Sequence, residues 1–467
     1  MADGALAPPV AGPSRMRPLL RRHWLFGLLL AGGVAMRVIV SIGYRPIFIY
    51  FDSLPYLTNA EALAPRQTRP AGYPLVLRSL LWIHDLTAVA VLQHLMGLVI
   101  AGLVYAVLLR YGAPAWAAAL GAAPALLDAY QLNIEHYVMS DTTSELLITI
   151  ALVVLVWGRT RVGLIPAAVT GFLLGLAGWV RTDTLIMVAP ALLYLLLRER
   201  TWLHRLQRVA VLLLCFLLPV IGYATWYQQT QGAFALSGQT GHWLYGRVAP
   251  FANCKGLTLK PYERKLCPSG PESERTGSNC FVWCSFSPAN TFRPPDGEDR
   301  DVLLRKFAVR IIEHQPWDYT RHVVSDVLYG FMPTHSKRPK DVTNADSKFG
   351  PSFPTEVNRP PDEVVRDYGN DGTHVVKGIG HFMQDYQKVV YAPGTLLAAL
   401  MLIGLLAATG IGRARRSGLR AVSLLFSLGG LVIVLPAALV SEFVWRYQLP
   451  QSILLPVGGV LGLTALL

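Results

Sequence analysis

Charged side chains are scarce in this chain: they make up 15% of its 467 residues, where a soluble globular protein carries roughly a quarter. With 52% hydrophobic residues and a mean hydropathy of +0.39, that scarcity excludes an ordinary soluble protein. Lysine is confined as well. None precedes Lys255 and none follows Lys388, so both ends of the chain carry their positive charge on arginine. Cysteine is rare, five residues in all, and four of them (Cys254, Cys267, Cys280 and Cys284) fall in one short stretch. No unit recurs at a fixed period, so a repeat architecture is not expected.

What the chain does have is apolar runs of about 20 residues, the length that crosses a hydrocarbon layer of ~30 Å. They lie near 23–43, 88–109, 114–133, 141–157, 163–180, 184–198, 206–227, 390–411, 421–441 and 448–467. The expectation is an all-α polytopic membrane protein with about ten transmembrane helices. The first run follows "RPLLRRHW", like the charged start of a signal peptide. It is too long for that role, contains Arg37 and lacks a small-residue cleavage site, so it reads as a retained helix.

The net charge of +13 does not call for nucleic acid. Arginines of the apolar half cluster in "RPLLRR", "GRTRVG", "RERTWLHRLQR" and "GRARRSGLR", with Arg110 between them, on every second connector. That is the positive-inside pattern, and the natural counter-surface is membrane lipid with anionic headgroups. The remaining connectors, 44–87, 134–141, 181–183, 228–389 and 442–447, hold nearly every acid and face the other side. A multi-pass plasma-membrane protein with its chemistry on the extracytoplasmic face is the consequence.

Four regions follow: a disordered cytoplasmic tail over 1–22, an N-terminal membrane block over 23–227 with an outer loop at 44–87, an extracytoplasmic domain inserted over 228–389, and a C-terminal membrane block over 390–467. In the inserted domain, "DRDVLLRKFAVRIIEHQP" and "WDYTRHVVSDVLYGFMP" predict two helices stopped before Pro316 and Pro333. The stretch from Lys337 to Asp362 reads as a long loop. The four clustered cysteines fit two disulfides outside the cytoplasm. Three pairings exist; Cys254 with Cys267 and Cys280 with Cys284 closes the smaller loops. Zinc is the alternative, but only one spacing is short, whereas structural zinc motifs usually offer two short ligand pairs. Cys215 stands alone in an apolar run and reads as a packing residue.

Ionisable residues gather just outside the apolar runs. Asp52 follows the first one. It has two readings, a cap on a helix starting at Ser53 or a general base placed between lipid and water. Arg69 and Arg78 flank "PAGYP", in which Gly72 permits close approach of another group; each arginine either snorkels to lipid or grips a substrate phosphate. "NIEHYVMSDTTSELL" brings Glu135, His136, Asp141 and Glu145 to the outer mouth of the fourth run, with Ser140 as a helix cap. No cofactor is required by this pattern, although two acids and a histidine can hold a divalent cation; which metal, if any, stays unknown. Arg181 and Asp183 share a short outer connector, where Asp183 also reads as a cap, and Glu442, Arg446 and Tyr447 share another. Arg37, inside the first run, requires a buried acid or a water cavity.

These motifs, in this order, resemble the GT-C superfamily of polyprenyl-phosphate-sugar-dependent glycosyltransferases, the clan of the protein O-mannosyltransferases and the lipid A aminoarabinose transferase. The frame Asp52-x3-Tyr56-x3-Ala60, the turn "RPAGYP", the block "GLAGWVRTDTLIMVAP" and "RYQLPQSILLP" carry the likeness. It covers 24–200 and 390–467, and the inserted domain, with "LYGRVAPFANC" and "LCP", resembles actinobacterial members of the group. Two departures are Ser53 where many relatives have a second acid, and Thr182-Asp183 where a proline is common.

The resemblance implies inverting transfer of a sugar from a polyprenyl-phosphate donor to the hydroxyl of a cell-envelope acceptor, whether glycan, lipid or protein. It assigns Asp52 as general base and Arg69, Arg181 and Arg446 to the donor phosphate. Tyr56, Tyr73, Glu135, His136, Asp141, Asp183 and Tyr447 then contact substrate. A transporter or flippase of a lipid-linked or polar substrate is the alternative; it needs ionisable groups deep in the helices, for which Arg37, His94 and Glu145 are the candidates.

Overall fold

The computed structural model describes residues 16–159, 161–199, 201–336, 348–354 and 359–467. It is built almost wholly of helices. The first block holds α1 (Met16–Gly43), α2 (Ser53–Ala62), α3 (Gly72–Leu81), α4 (Thr87–Arg110), α5 (Ala115–Leu127), α6 (Ala129–Glu135), α7 (Asp141–Val156), α8 (Leu164–Val180), α9 (Val188–Arg198) and α10 (Trp202–Gln231). Five helices follow in the cysteine-bearing part: α11 (Thr240–Val248), α12 (Ser278–Trp283), α13 (Pro288–Thr291), α14 (Arg300–His314) and α15 (Pro316–Tyr329). The chain ends with α16 (Pro361–Asp367), α17 (Lys377–Val389), α18 (Gly394–Thr409), α19 (Ala414–Ser417), α20 (Arg420–Val432), α21 (Leu435–Val440) and α22 (Leu449–Leu466).

All ten predicted apolar runs are helical, but they are not equal in length. Among the described residues, five helical stretches are long and apolar enough to cross a membrane: 21–43, 87–110, 202–231, 420–440 and 445–466. A sixth arises if α17 and α18, bent by 43° where they meet, form one span. Helices α5 and α8 are apolar but shorter, 13 and 17 residues. In α5 the cause is local: Pro124 lies in its last turn, and Asp128 directly afterwards caps α6, its Oδ1 accepting from the Tyr130 amide at 2.8 Å.

The predicted tail of 1–22 lies outside the described residues as far as 15, and from Met16 the chain already belongs to α1. Part of the predicted loop, 337–347 and 355–358, also lies outside them. The inserted region divides differently from the expectation. Helices α11, α12 and α14 close over their own core of Tyr245, Phe251, Phe281, Leu304, Phe307 and Ile311. Residues from 349–353 and 364–386 join another core, where Phe349, Val364, Val365 and Met383 pack with Tyr44, Phe48 and Leu86. A two-stranded pairing, β1 (Tyr44–Arg45) antiparallel to β2 (His374–Val375), ties the second part to the end of α1. The two helices predicted from periodicity are α14 and α15. Both favoured disulfides are present, Cys254–Cys267 and Cys280–Cys284, and Cys215 is a free thiol in α10.

Arg37 finds its acid in Glu135. The guanidinium donates from Nε to Oε2 at 2.9 Å and from Nη2 to Oε1 at 2.7 Å, with both side chains at most 4% exposed. His94 Nδ1 lies 2.9 Å from the same carboxylate. Gly97 makes the space: a β-carbon there would fall 1.9 Å from Glu135 Oε1.

Two outcomes are expected. Arg37→Ala leaves Glu135 unpaired in the bundle and should cost about 3–5 kcal/mol in detergent unfolding, whereas Arg37→Met combined with Glu135→Leu should cost clearly less. Under denaturing conditions, maleimide should modify one thiol per chain before reduction and five after it; more than one before reduction contradicts the disulfides.

Candidate active site

The site is assembled by a short backbone pairing. After α1, Phe48 donates its amide to the His136 carbonyl at 2.8 Å, and its own carbonyl accepts from the Val138 amide at 3.1 Å. Ser53 fastens the next turn: its hydroxyl donates to the Val138 carbonyl at 3.0 Å and accepts from the Tyr50 amide at 2.8 Å. The start of α2 is thereby fixed beside the start of α7. Asp52 and the 139–141 segment come together although they are far apart in sequence.

Asp52 does not cap α2; its carboxylate makes no bond to a helix amide. Instead, Arg69 donates to Oδ1 from Nε at 3.1 Å and from Nη2, while Arg446 reaches Oδ2 with Nη1 and Nη2, both at 3.4 Å. Asp52 is only 16% exposed. Burial alone would raise its pKa, but the charges of Arg446 and Arg69 and their hydrogen bonds outweigh it and hold the carboxyl below its usual range. At neutral pH it is ionised, and a weak base while clasped.

Arg69 is placed by the "PAGYP" turn, which docks on protein. The Ala71 amide donates to the Tyr223 hydroxyl at 3.0 Å, and a β-carbon on Gly72 would fall 2.5 Å from the Trp179 carbonyl. Close approach is what Gly72 provides, to the end of α8 rather than to a headgroup. Arg78 donates to the carbonyls of Ala60 and Glu61 at the end of α2.

Arg181 follows α8 directly and is more tightly held than Arg446. Its Nη1 donates to Asp141 Oδ1 at 2.9 Å and its Nη2 to Asp183 Oδ2 at 2.7 Å, so Asp183 braces Arg181 rather than capping a helix. The Tyr447 ring lies between the arginines, 5.3 Å from Arg181 Cζ and 5.4 Å from Arg446 Cζ, and Tyr50 faces Arg446 at 5.6 Å. Arg446 Nε has no partner among the described residues. Tyr56 shares a 3.1 Å hydrogen bond with Ser140, which makes no capping bond to α7; burial and the Asp52 charge push the phenol up to about 12, so it stays neutral.

Two predicted substrate contacts lie elsewhere. Glu135 is buried against Arg37 and His94, not at the mouth. His136 is fully buried, with Nε2 on the Tyr44 carbonyl at 2.6 Å, and burial and His94 lower its pKa to about 3. Tyr73 is buried, donates to Gln93 at 2.8 Å and sets its ring edge-on to that of Tyr56 at 5.0 Å. Among the described residues, no group of three or more His, Cys, Asp or Glu side chains is arranged to hold a metal ion. Of the four residues from which a cation site was expected, Glu135 and His136 lie with Arg37 and His94, Asp141 pairs with Arg181, and Glu145 accepts from Gln131.

Sequence reasoning missed the anchor of Arg446. Arg247 of α11 and Asp326 of α15 form a buried pair at 2.7 Å. Arg247 also donates to the Ser441 carbonyl, and Asp326 accepts the Phe443 amide at 3.2 Å. The Trp445 indole donates to the Ser336 carbonyl, and Gln448 pairs with His335 at 2.7 Å. These contacts fasten 441–448 from the cysteine-bearing part. The one hint in the sequence was an arginine within the apolar stretch "LYGRVAPF".

No protein-family model and no curated protein matches the chain. The function is therefore read from the site itself, a carboxylate clasped by two arginines next to a third.

The clasp has a pH signature. Because the folded-state pKa of Asp52 is depressed, its contribution to stability is present above the unfolded value of about 3.9 and is lost as pH falls through the folded value. The wild type should melt above Asp52→Asn at pH 7, and the gap should close on acidification below about pH 4. A gap independent of pH contradicts the clasp.

Proposed function

We propose that the protein is an integral membrane glycosyltransferase of GT-C type. It moves a sugar from a polyprenyl-phosphate donor to an acceptor hydroxyl on the extracytoplasmic face of the plasma membrane, its ten apolar helices forming the membrane block and 228–389 standing outside. The observation that carries this reading is the position of Asp52 between Arg69 and Arg446. A donor phosphate offers those guanidinium groups a better bidentate partner than a carboxylate shared between them. Once they turn to phosphate, Asp52 loses the charges that depress its pKa and becomes a competent base.

The acceptor hydroxyl then gives its proton to Asp52, and its oxygen attacks the anomeric carbon from the face opposite the phosphate. The anomeric carbon–oxygen bond breaks, its electron pair passes to the phosphate oxygen, and the configuration inverts. Arg69 and Arg446 hold the charge that develops there, a stabilisation that is often the largest catalytic contribution. Phosphate is a good leaving group, so no separate general acid is needed. Arg181, already held by two carboxylates, orients Tyr447 and adds field rather than gripping the phosphate first.

The transporter reading draws on Arg37, His94 and Glu145, deep among the helices; the first two are both bonded to Glu135. Both oxygens of Glu135 are taken, as is every nitrogen of the Arg37 guanidinium, which suits a structural clamp better than a cargo site.

Asp52→Asn tests the proposal. Turnover should fall by roughly 10² or more, the scale of general-base catalysis. Binding of decaprenyl phosphate should be equal to wild type or tighter, because the competing carboxylate charge is gone. Arg446→Lys should weaken that binding through loss of the planar fork. Normal turnover in Asp52→Asn removes the base, and transport of an intact lipid-linked sugar without transfer favours the transporter.

A further inference from the structure

We propose that three buried oxygens next to the arginines, Gln131 Oε1, Asp141 Oδ2 and Glu145 Oε1, receive the hydroxyl groups of the sugar carried on the lipid phosphate. The inference rests on the reading above that Arg69 and Arg446 hold that phosphate. Each oxygen belongs to a residue at most 4% exposed, and none has a partner among the described residues.

The opposite end of each side chain is tied down. Gln131 Nε2 donates to Glu145 Oε2 at 3.0 Å and to Glu135 Oε1 at 3.2 Å. Two carboxylates fix which end of the amide is nitrogen, so the free end of Gln131 is an acceptor. Asp141 gives its other oxygen to Arg181. Asp141 and Glu145 stand one turn apart on α7 and so share a face. Arg181 lies within electrostatic reach of Glu145, and the Tyr447 ring joins Arg181 to Arg446.

A buried polar atom without a partner is costly. Gln131 Oε1 and Asp141 Oδ2 can only accept, and Glu145 Oε1 belongs to a carboxyl group that can also donate, so the complementary group must donate to the first two and be able to accept from the third. A phosphate or a carboxylate would meet repulsion at the first two. A divalent cation is poorly served, since Arg181 already supplies the positive charge at Asp141 and no third acidic, histidine or cysteine ligand joins the set. Sugar hydroxyls donate, are neutral and come several to a ring. The same side chains therefore distinguish a lipid phosphate that bears a sugar from one that does not.

The test uses the full-length protein in detergent, with decaprenyl phosphate and a set of pentosyl and hexosyl decaprenyl phosphates as probes. Wild type should bind at least one sugar-bearing lipid about tenfold or more tightly than the bare lipid phosphate, the return expected for a hydroxyl bonded to a charged acceptor. Glu145→Leu keeps most of the volume and removes the carboxyl group from the free position. That variant, and Gln131→Leu independently, should lose the tenfold preference while binding bare decaprenyl phosphate as wild type does. If wild type binds sugar-bearing and bare lipids equally, or if folded variants keep the preference, these oxygens serve water alone and the inference falls. If wild type binds no lipid phosphate, the phosphate reading fails first, and the two failures are told apart by the bare lipid.

Discussion

Glu135 and Arg37 meet where no solvent can screen them, and much of the molecule is arranged around that meeting. An unpaired charge inside an apolar bundle costs several kcal/mol, so Arg37 has to be answered completely. Its remaining donors go to the carbonyls of Gly33, Ala125 and Leu126. Two of those carbonyls lie at the end of α5, where the helix offers them no amide. One guanidinium thus closes a helix end and an ion pair together. It also fixes the end of α6, and the residue after Glu135 gives the carbonyl that receives the Phe48 amide. From Phe48 the chain runs through Ser53 and Asp52 to the arginine clasp. The position of the candidate base is inherited from a charge pair buried away from it.

The legible part of this structure is what the sequence writes locally. Apolar runs, the helices α14 and α15, and the disulfide pairing depend on neighbours in the chain, and each could be read from spacing. The cap assignments failed for an instructive reason. Asp52, Ser140 and Asp183 are all good cap types, but a carboxylate or hydroxyl within reach of an arginine or a phenol has a stronger or better-shielded partner than a helix amide. Where tertiary partners exist, local propensity loses. Glu135 and His136 were placed at the mouth because their connector is short and polar; α6 rotates both inward, and nothing in seven residues of sequence specifies that rotation.

Long-range assembly was hidden in the same way. Asp52 and Arg446 are separated by 394 positions, and only the folded chain brings them together. The anchor that makes this work, Arg247 with Asp326, lies in the cysteine-bearing part, where only the apolar neighbours of Arg247 set the pair apart from ordinary surface charge in the sequence. That part is consequently more than a cover: α15 and the residues after it hold 441–448, and so hold Arg446.

Charge balance links the resting site to the proposed reaction. Arg69, Arg181 and Arg446 face Asp52, Asp141 and Asp183, so the cluster is neutral before substrate arrives. A sugar-bearing lipid phosphate adds one negative charge to a half-buried place. During transfer the phosphate gains a second, and in the same step Asp52 takes the acceptor proton and loses its own. The sum does not change. Negative charge moves from a carboxylate to a phosphate held by the same two guanidinium groups, so the surrounding dipoles need little reorganisation, which is the condition under which fixed charges lower a barrier most. A lysine at either position could match the charge but could not turn from one anion to the other while keeping two bonds to each. The geometry therefore gives a reason for arginine on both sides of Asp52, and for a base that stays weak until the anion it must work beside is in place.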